Sequence, residues 1–159
     1  TMVGTYYYAD TIQGLGGADT LTASGSGDTL INQGTIQADV SGQTLTISPG
    51  IFTNQGTLSA LNGATLAISS ASWTNTGAMQ VNSGSTLEIA NPGAIRVTFL
   101  GGGSTLRLGN PLSYTGEIVG LQTTSKIDLL GVTATKASAP KPAPAVAGVQ
   151  RSMMAPCGM

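Results

Sequence analysis

The chain has 159 residues, a length that suits a single domain. It carries 6 basic and 7 acidic residues, and only 8% of its residues are charged, against about 25% in an ordinary soluble protein. This balance excludes the basic face that nucleic-acid binding requires, and the lack of histidine removes the commonest general base and metal ligand.

The first segment, residues 1–31, contains Asp-Thr-apolar three times, at nine-residue steps from Asp10 to Asp19 to Asp28. This spacing resembles the RTX family, whose nonapeptides follow Gly-Gly-x-Gly-x-Asp-x-apolar-x, although the glycine half is degraded here. The resemblance implies 18-residue coils, with Asp10 and Asp28 one coil apart and Asp19 on the opposite side. It also implies calcium, which prefers oxygen ligands, as a cofactor. The alternative is a degenerate N-terminal coil or cap that holds no metal.

The body, residues 32–132, repeats about every 21 residues. The runs "TLTI", "TLAI", "TLEI" and "TLRL" align the leucines Leu45, Leu66, Leu87 and Leu106. Apolar residues alternate with small or polar ones between Gly-rich corners, which is typical of short strands. Such strands pair stably only with the same segment one repeat later. We predict an all-β, right-handed parallel β-helix, a β-solenoid of about five or six coils; a small β-sandwich is the alternative, but it does not explain the spacing.

A second repeating column consists of asparagines. The runs "NQGTI", "NQGTL" and "NTGAM" align Asn32, Asn54 and Asn75. Stacked asparagines at a corner commonly hydrogen-bond the turn backbone and each other, so we predict a structural ladder rather than a binding surface. A bulky apolar residue lies just ahead of each asparagine and forms a further column: Ile31, Phe52 and Trp73. Phe52 and Trp73 are predicted to fill one corner of the core.

A third column lies at the outward position of the Thr-Leu-x-Ile strand, where Glu88, Arg107 and Asp128 alternate in sign. Opposite charges in adjacent strands support the register, so we predict a charge ladder. The alternative is a site that binds or cleaves acidic polysaccharides, because glycoside hydrolysis needs two carboxyl groups. The cation between the two carboxyl groups disfavours such a site.

A column of threonines suggests ice binding, and it consists of Thr44, Thr65, Thr86 and Thr105. The companion column that such a surface needs is interrupted by charged residues.

The last segment, residues 133–159, is a Pro/Ala-rich tail with the composition of an extended linker. Met153, Met154 and the lone cysteine Cys157 belong either to a disordered tail or to an arm that docks on another subunit. A solenoid also has open ends with unpaired strand edges. We therefore predict head-to-tail self-association through these ends and the tail, with a tyrosine run as further contacts: Tyr6, Tyr7 and Tyr8.

The paired runs "FTNQGTL" with "TLAI" and "WTNTGAM" with "TLEI" resemble the coils of large bacterial exoproteins. These include the hemagglutinin-like adhesins and the autotransporter passengers, and the resemblance covers residues 28–132. It implies a non-enzymatic, extracellular or cell-surface protein for adhesion, spacing or fibre building, with a surface glycan or host receptor as partner. No apolar run approaches the roughly 18 residues of a membrane span. Because the chain begins at Thr1, we expect either a removed leader or a piece of a longer polypeptide.

Overall fold

The computed structural model describes residues 6–8, 11–13, 19–21 and 29–133. Within this part the chain forms sixteen short strands in three sheets. The first sheet contains β1 (Tyr6–Tyr8), β4 (Thr29–Asn32), β7 (Ile51–Asn54) and β10 (Ser72–Asn75). The second contains β2 (Thr11–Gln13), β5 (Thr35–Ala38), β8 (Thr57–Ala60), β11 (Ala78–Val81), β13 (Arg96–Phe99) and β15 (Glu117–Val119). The third contains β3 (Asp19–Leu21), β6 (Thr44–Ile47), β9 (Thr65–Ile68), β12 (Thr86–Ile89), β14 (Thr105–Leu108) and β16 (Lys126–Leu129).

The predicted β-solenoid is confirmed, with about five turns of about 21 residues each. The described strands pair in parallel with the equivalent strand of the next coil, as β6 does with β9 and β9 with β12. Because a β-sandwich is built from antiparallel sheets, the alternative architecture is wrong. In the third sheet the paired leucines form one continuous column: Leu45, Leu66, Leu87 and Leu106.

The core lies inside the coils and follows from the alternation within each strand. In β4, β5 and β6 every second residue is buried, because successive side chains of a strand point to opposite faces. One column differs from the prediction by one residue. Leu30, not Ile31, pairs with Phe52 and is completely buried, while Ile31 pairs with Thr53 on the outer face.

The N-terminal strands belong to the same solenoid. Tyr6 pairs with Leu30 and Thr11 with Thr35, so the first coil advances by 24 residues at both places. The three Asp-Thr-apolar runs contribute β2, β3 and β4, one strand to each sheet. The predicted 18-residue coil is therefore wrong: a nine-residue step carries the chain from one side of a three-sided coil to the next, instead of half-way around a two-sided one.

The first sheet is shorter than the other two. It ends at β10, whereas the second and third sheets continue to β15 and β16. Where the next strand would lie, the chain passes through Asn91, whose carbonyl oxygen accepts a 2.8 Å hydrogen bond from Nε1 of Trp73. Trp73 stacks on Phe52 with ring centroids 6.3 Å apart. The aromatic pair thus closes one corner of the core after its sheet has ended.

A 3₁₀ helix, Pro111–Ser113, connects β14 to β15. Within the part of the chain that the structure describes, no helix has the length and apolar character of a membrane span. Several residues of the sequence predictions, namely Asp10, Asp28, Met153, Met154 and Cys157, lie outside the described residues.

Candidate functional site

The asparagine column forms a hydrogen-bonded ladder inside the solenoid. Nδ2 of Asn32 donates to Oδ1 of Asn54, and Nδ2 of Asn54 donates to Oδ1 of Asn75, both at 2.6 Å. Asn32 and Asn54 have no exposed surface. Each amide therefore bonds its counterpart one coil away, and these bonds satisfy polar groups that would be costly to bury alone. Oδ1 of Asn32 is the exception, since it is buried and has no partner among the described residues.

The same corner explains why asparagine and glycine occur together in the repeat. The carbonyl oxygen of Asn32 accepts hydrogen bonds from the backbone N–H groups of Gln55 and Gly56, at 2.8 and 3.0 Å. Gly34, Gly56 and Gly77 follow one another at this corner, and a Cβ on Gly56 would lie against the Gly34 carbonyl. The Asn-x-Gly motif is thus a structural turn in which the coils approach too closely for a side chain.

The charge column forms a second ladder, on the outer face of the third sheet. Arg107 pairs in register with Glu88 on one side and Asp128 on the other. Its Nη1 atom lies 3.0 Å from Oε2 of Glu88, and its Nε atom lies 3.1 Å from Oδ2 of Asp128. The hydrogen bond to Glu88, followed by that to Asp128, raises the pKa of Arg107 above its ordinary value. The guanidinium is therefore charged at every accessible pH.

The three side chains of this ladder remain partly in water, with exposures of 37% for Glu88, 38% for Arg107 and 45% for Asp128. Exposed ion pairs of this kind contribute about 0–1 kcal/mol each. Their main effect is on register, because a shift of one residue would move the charges to the opposite face of the sheet.

Two features of the surface were not predicted from the sequence. Arg96 and Glu117 form an exposed ion pair, with Nε and Oε2 2.9 Å apart. Their spacing of 21 residues in the sequence could have predicted this ion pair. Burial, with a smaller contribution from the charge of Glu117, raises the pKa of the neighbouring Tyr114 above its ordinary value, so its hydroxyl stays protonated.

Serines at the corner between the second and third sheets were also missed, of which Ser85 and Ser104 are buried and Ser125 is half-buried. Ser85 accepts a 3.0 Å hydrogen bond from the backbone N–H of Gly63, and the hydroxyls of Ser104 and Ser125 are 3.4 Å apart. Each of these serines immediately precedes a third-sheet strand, at spacings of 19 and 21 residues. The repeat spacing could therefore have predicted these serine contacts as well.

Of the three predicted calcium ligands, only Asp19 belongs to the residues that the structure describes. Asp19 begins β3 and pairs in register with Leu45. The following residues of this column, from Leu45 to Leu106, face the core. Asp10 and Asp28 lie outside the described residues. Among the residues that are described, no group of three or more Asp, Glu, His or Cys could hold a metal ion. Calcium binding stays a prediction, without the 18-residue coil on which its geometry depended.

The threonine column is placed as the spacing predicts, since Thr44, Thr65, Thr86 and Thr105 are register partners. The companion column on the same face changes from Thr46 through Ala67 to Glu88. A uniform double array of threonines is therefore not formed on this sheet, and ice binding has no geometric support there.

Comparison with known proteins gives no match. No family model, curated protein or solved structure shows significant similarity to the sequence. The resemblance to large exoproteins and to the RTX family therefore depends on the motifs in the sequence alone.

Proposed function

We propose that the chain is a non-enzymatic structural segment of an extracellular or cell-surface β-solenoid, which serves adhesion, spacing or fibre building. The observation that carries this proposal is the use of its polar side chains. In the described coils, the asparagine ladder and the charge ladder join one repeat to the next. Side chains engaged in this way stabilise a stack and are not held ready for a reacting substrate.

The arrangement of the carboxylates supports this role over polysaccharide cleavage. Glu88 and Asp128 lie two coils apart, on either side of the same guanidinium. A glycosidase needs one carboxyl group that gives up a proton and a second that attacks or activates water. Here both carboxylates accept hydrogen bonds from the same guanidinium, that of Arg107, which lies between them.

The location outside the cell is supported by the sequence resemblance and by composition. Gly makes up 23 of the 159 residues and only 8% are charged, so solubility depends on hydroxyl and amide groups. A surface glycan or host receptor is the partner that this role implies. The stack offers such a partner an exposed face with a regular spacing of about 4.8 Å between coils.

Two measurements test the proposal. Antibodies against the chain are expected to label intact cells of the source organism, or the medium around them, before the cells are permeabilised. The purified chain is expected to release no new reducing or unsaturated ends from pectate, alginate or hyaluronan. Labelling only after permeabilisation contradicts the location. Product formation that is lost in Glu88→Ala or Asp128→Ala, with the fold retained by circular dichroism, contradicts the non-enzymatic role.

A further inference from the structure

The C-terminal end of the solenoid exposes the apolar side chains of its last coil. Ile127 and Leu129 continue the columns of Leu106 and Leu108, which are 0% and 2% exposed. In β16 the same two positions are 41% and 45% exposed. Further apolar side chains are exposed in the last coil or just after it: Leu112, Leu121, Leu130 and Val132.

Among the described strands, β16 pairs on one side only, with β14, so its other edge is open. The hydrogen bonds on the paired side show which backbone groups lie at the open edge. The N–H of Lys126 donates to the Ser104 carbonyl at 2.8 Å, and that of Leu130 donates to Leu108 at 2.9 Å. Backbone groups alternate in direction along a strand. The N–H and C=O groups of Ile127 and Leu129 therefore face away from β14, at the open end.

We propose that two copies of the chain join C-terminal end to C-terminal end, through antiparallel pairing of β16 with the partner's β16 centred on Ile127. In this pairing Ile127 and the partner's Ile127 exchange both backbone hydrogen bonds, as the residues of a hydrogen-bonded antiparallel pair do. The two exposed isoleucines come to lie on the same face, and each end covers the apolar side chains of the other. The interface is isologous, which is the commonest arrangement in homodimers.

The charges of β16 match this pairing. When Ile127 is the centre, Lys126 lies directly opposite the partner's Asp128, and Asp128 lies opposite the partner's Lys126. Lys126 is exposed, and among the described residues it has no acidic group within ion-pair distance. The partner's Lys126 therefore adds a cation next to Asp128 and extends the alternating series of Glu88, Arg107 and Asp128 across the interface.

Head-to-tail stacking, the order predicted from the sequence, fits these ends less well. Among the described strands, the first coil presents three edges, β1, β2 and β3, whereas the last coil presents two, β15 and β16. In a continued register Asp19, which holds the position of Leu45, would lie over Ile127. That register would interrupt the apolar column with an acidic residue, which is unfavourable.

A charge-swap experiment tests the proposal. The proposed dimer does not depend on the proposed role in adhesion. In sedimentation or light scattering the full chain is expected to have twice the 15.8 kDa mass of one copy. Lys126→Glu and Asp128→Lys each set two like charges opposite each other by symmetry, and each is expected to weaken the dimer about tenfold. Mixed in equal amounts, the two variants are expected to form a heterodimer, because both opposite-charge pairs are then restored. Arg96→Glu changes the net charge as Lys126→Glu does and is expected to leave the dimer intact.

A monomeric full chain at the highest soluble concentration overturns the proposal. So does an open series of trimers and longer assemblies that is insensitive to Lys126→Glu, which indicates head-to-tail stacking. Failure of the two variants to associate when mixed, although each is folded by circular dichroism, also overturns it.

Discussion

Replacement of the central rung of the asparagine ladder, Asn54→Leu, is expected to lower the free energy of unfolding by about 1–3 kcal/mol, since the buried amide of Asn32 loses a partner. Asn75 is only half-buried and adds a smaller loss. Asn54 is fully buried, and leucine has the same number and branching of side-chain heavy atoms, so the change removes the polar groups and keeps the outline of the side chain. Asn32 loses an acceptor and Asn75 loses a donor. Urea unfolding followed by circular dichroism measures the effect.

The matched control is the exposed glutamine pair at the same corner. Nε2 of Gln33 donates to Oε1 of Gln55 at 3.1 Å, one coil apart, with both side chains in water. Gln55→Leu removes a hydrogen bond of similar chemistry and is expected to change the unfolding free energy by less than about 0.5 kcal/mol. Equal losses for Asn54→Leu and Gln55→Leu would show that burial of the ladder does not determine its contribution.

Gly56→Ala is expected to destabilise the fold by about 3 kcal/mol, because the added methyl group meets backbone that cannot move away without loss of hydrogen bonds. The Cβ of alanine would lie 2.8 Å from the Gln33 carbonyl carbon and 2.9 Å from that of Gly34. The Gly34 carbonyl oxygen is also the acceptor for the N–H of Thr57, at 2.8 Å. Room for the methyl group therefore requires the two coils to separate locally, which the midpoint of thermal or urea unfolding detects.

Gly42→Ala provides the comparison for this substitution. Gly42 has a φ of 72°, but a Cβ there meets no atom within 4 Å. Alanine at this position is expected to cost about 1 kcal/mol from the left-handed backbone alone, and the effect on the unfolded chain is the same in both variants. A loss at Gly42 as large as that at Gly56 would contradict close approach of the coils at the Asn-x-Gly corner.

The leucine, asparagine and charge columns could be predicted from the sequence because identical or complementary residues recur at one spacing. In a solenoid such residues are spatial neighbours, so the sequence distance from Leu45 to Leu66 translates directly into a contact between adjacent strands. The exposed pair Arg96–Glu117 obeys the same rule. It could have been found by the same count.

Placement of the N-terminal strands could not be predicted from the same kind of repeat. The alternation of a strand tells which side chains face the core but not which sheet the strand joins. A nine-residue step fits half of a two-sided coil as well as one side of a three-sided coil. Only the pairing of Thr11 with Thr35 and of Asp19 with Leu45 distinguishes the two.

The early end of the first sheet is indicated in the sequence by one shorter repeat, but its meaning is clear only with the structure. Leu87 and Leu106 are 19 residues apart, whereas the preceding leucines are 21 apart. The shorter coil has no strand to place beside β10, and the Asn91 carbonyl bonds Trp73 instead. Leu30 faces the core in place of the predicted Ile31. The sequence could not distinguish the two, because two adjacent apolar residues fit the column equally well until the register is known.

Residues about 21 positions apart lie one above another in the solenoid, and disulfide formation measures this most directly. Thr53 and Thr74 are register partners on the outer face, with hydroxyl oxygens 3.4 Å apart. In a Cys157→Ser background, Thr53→Cys with Thr74→Cys is expected to cross-link within one chain under mild oxidation and to raise the Tm. Thr53→Cys with Ser72→Cys separates the Cα atoms by about 8 Å, beyond the span of a disulfide, and is expected to stay reduced. Cross-linking of the second pair in preference to the first would contradict the stacked register.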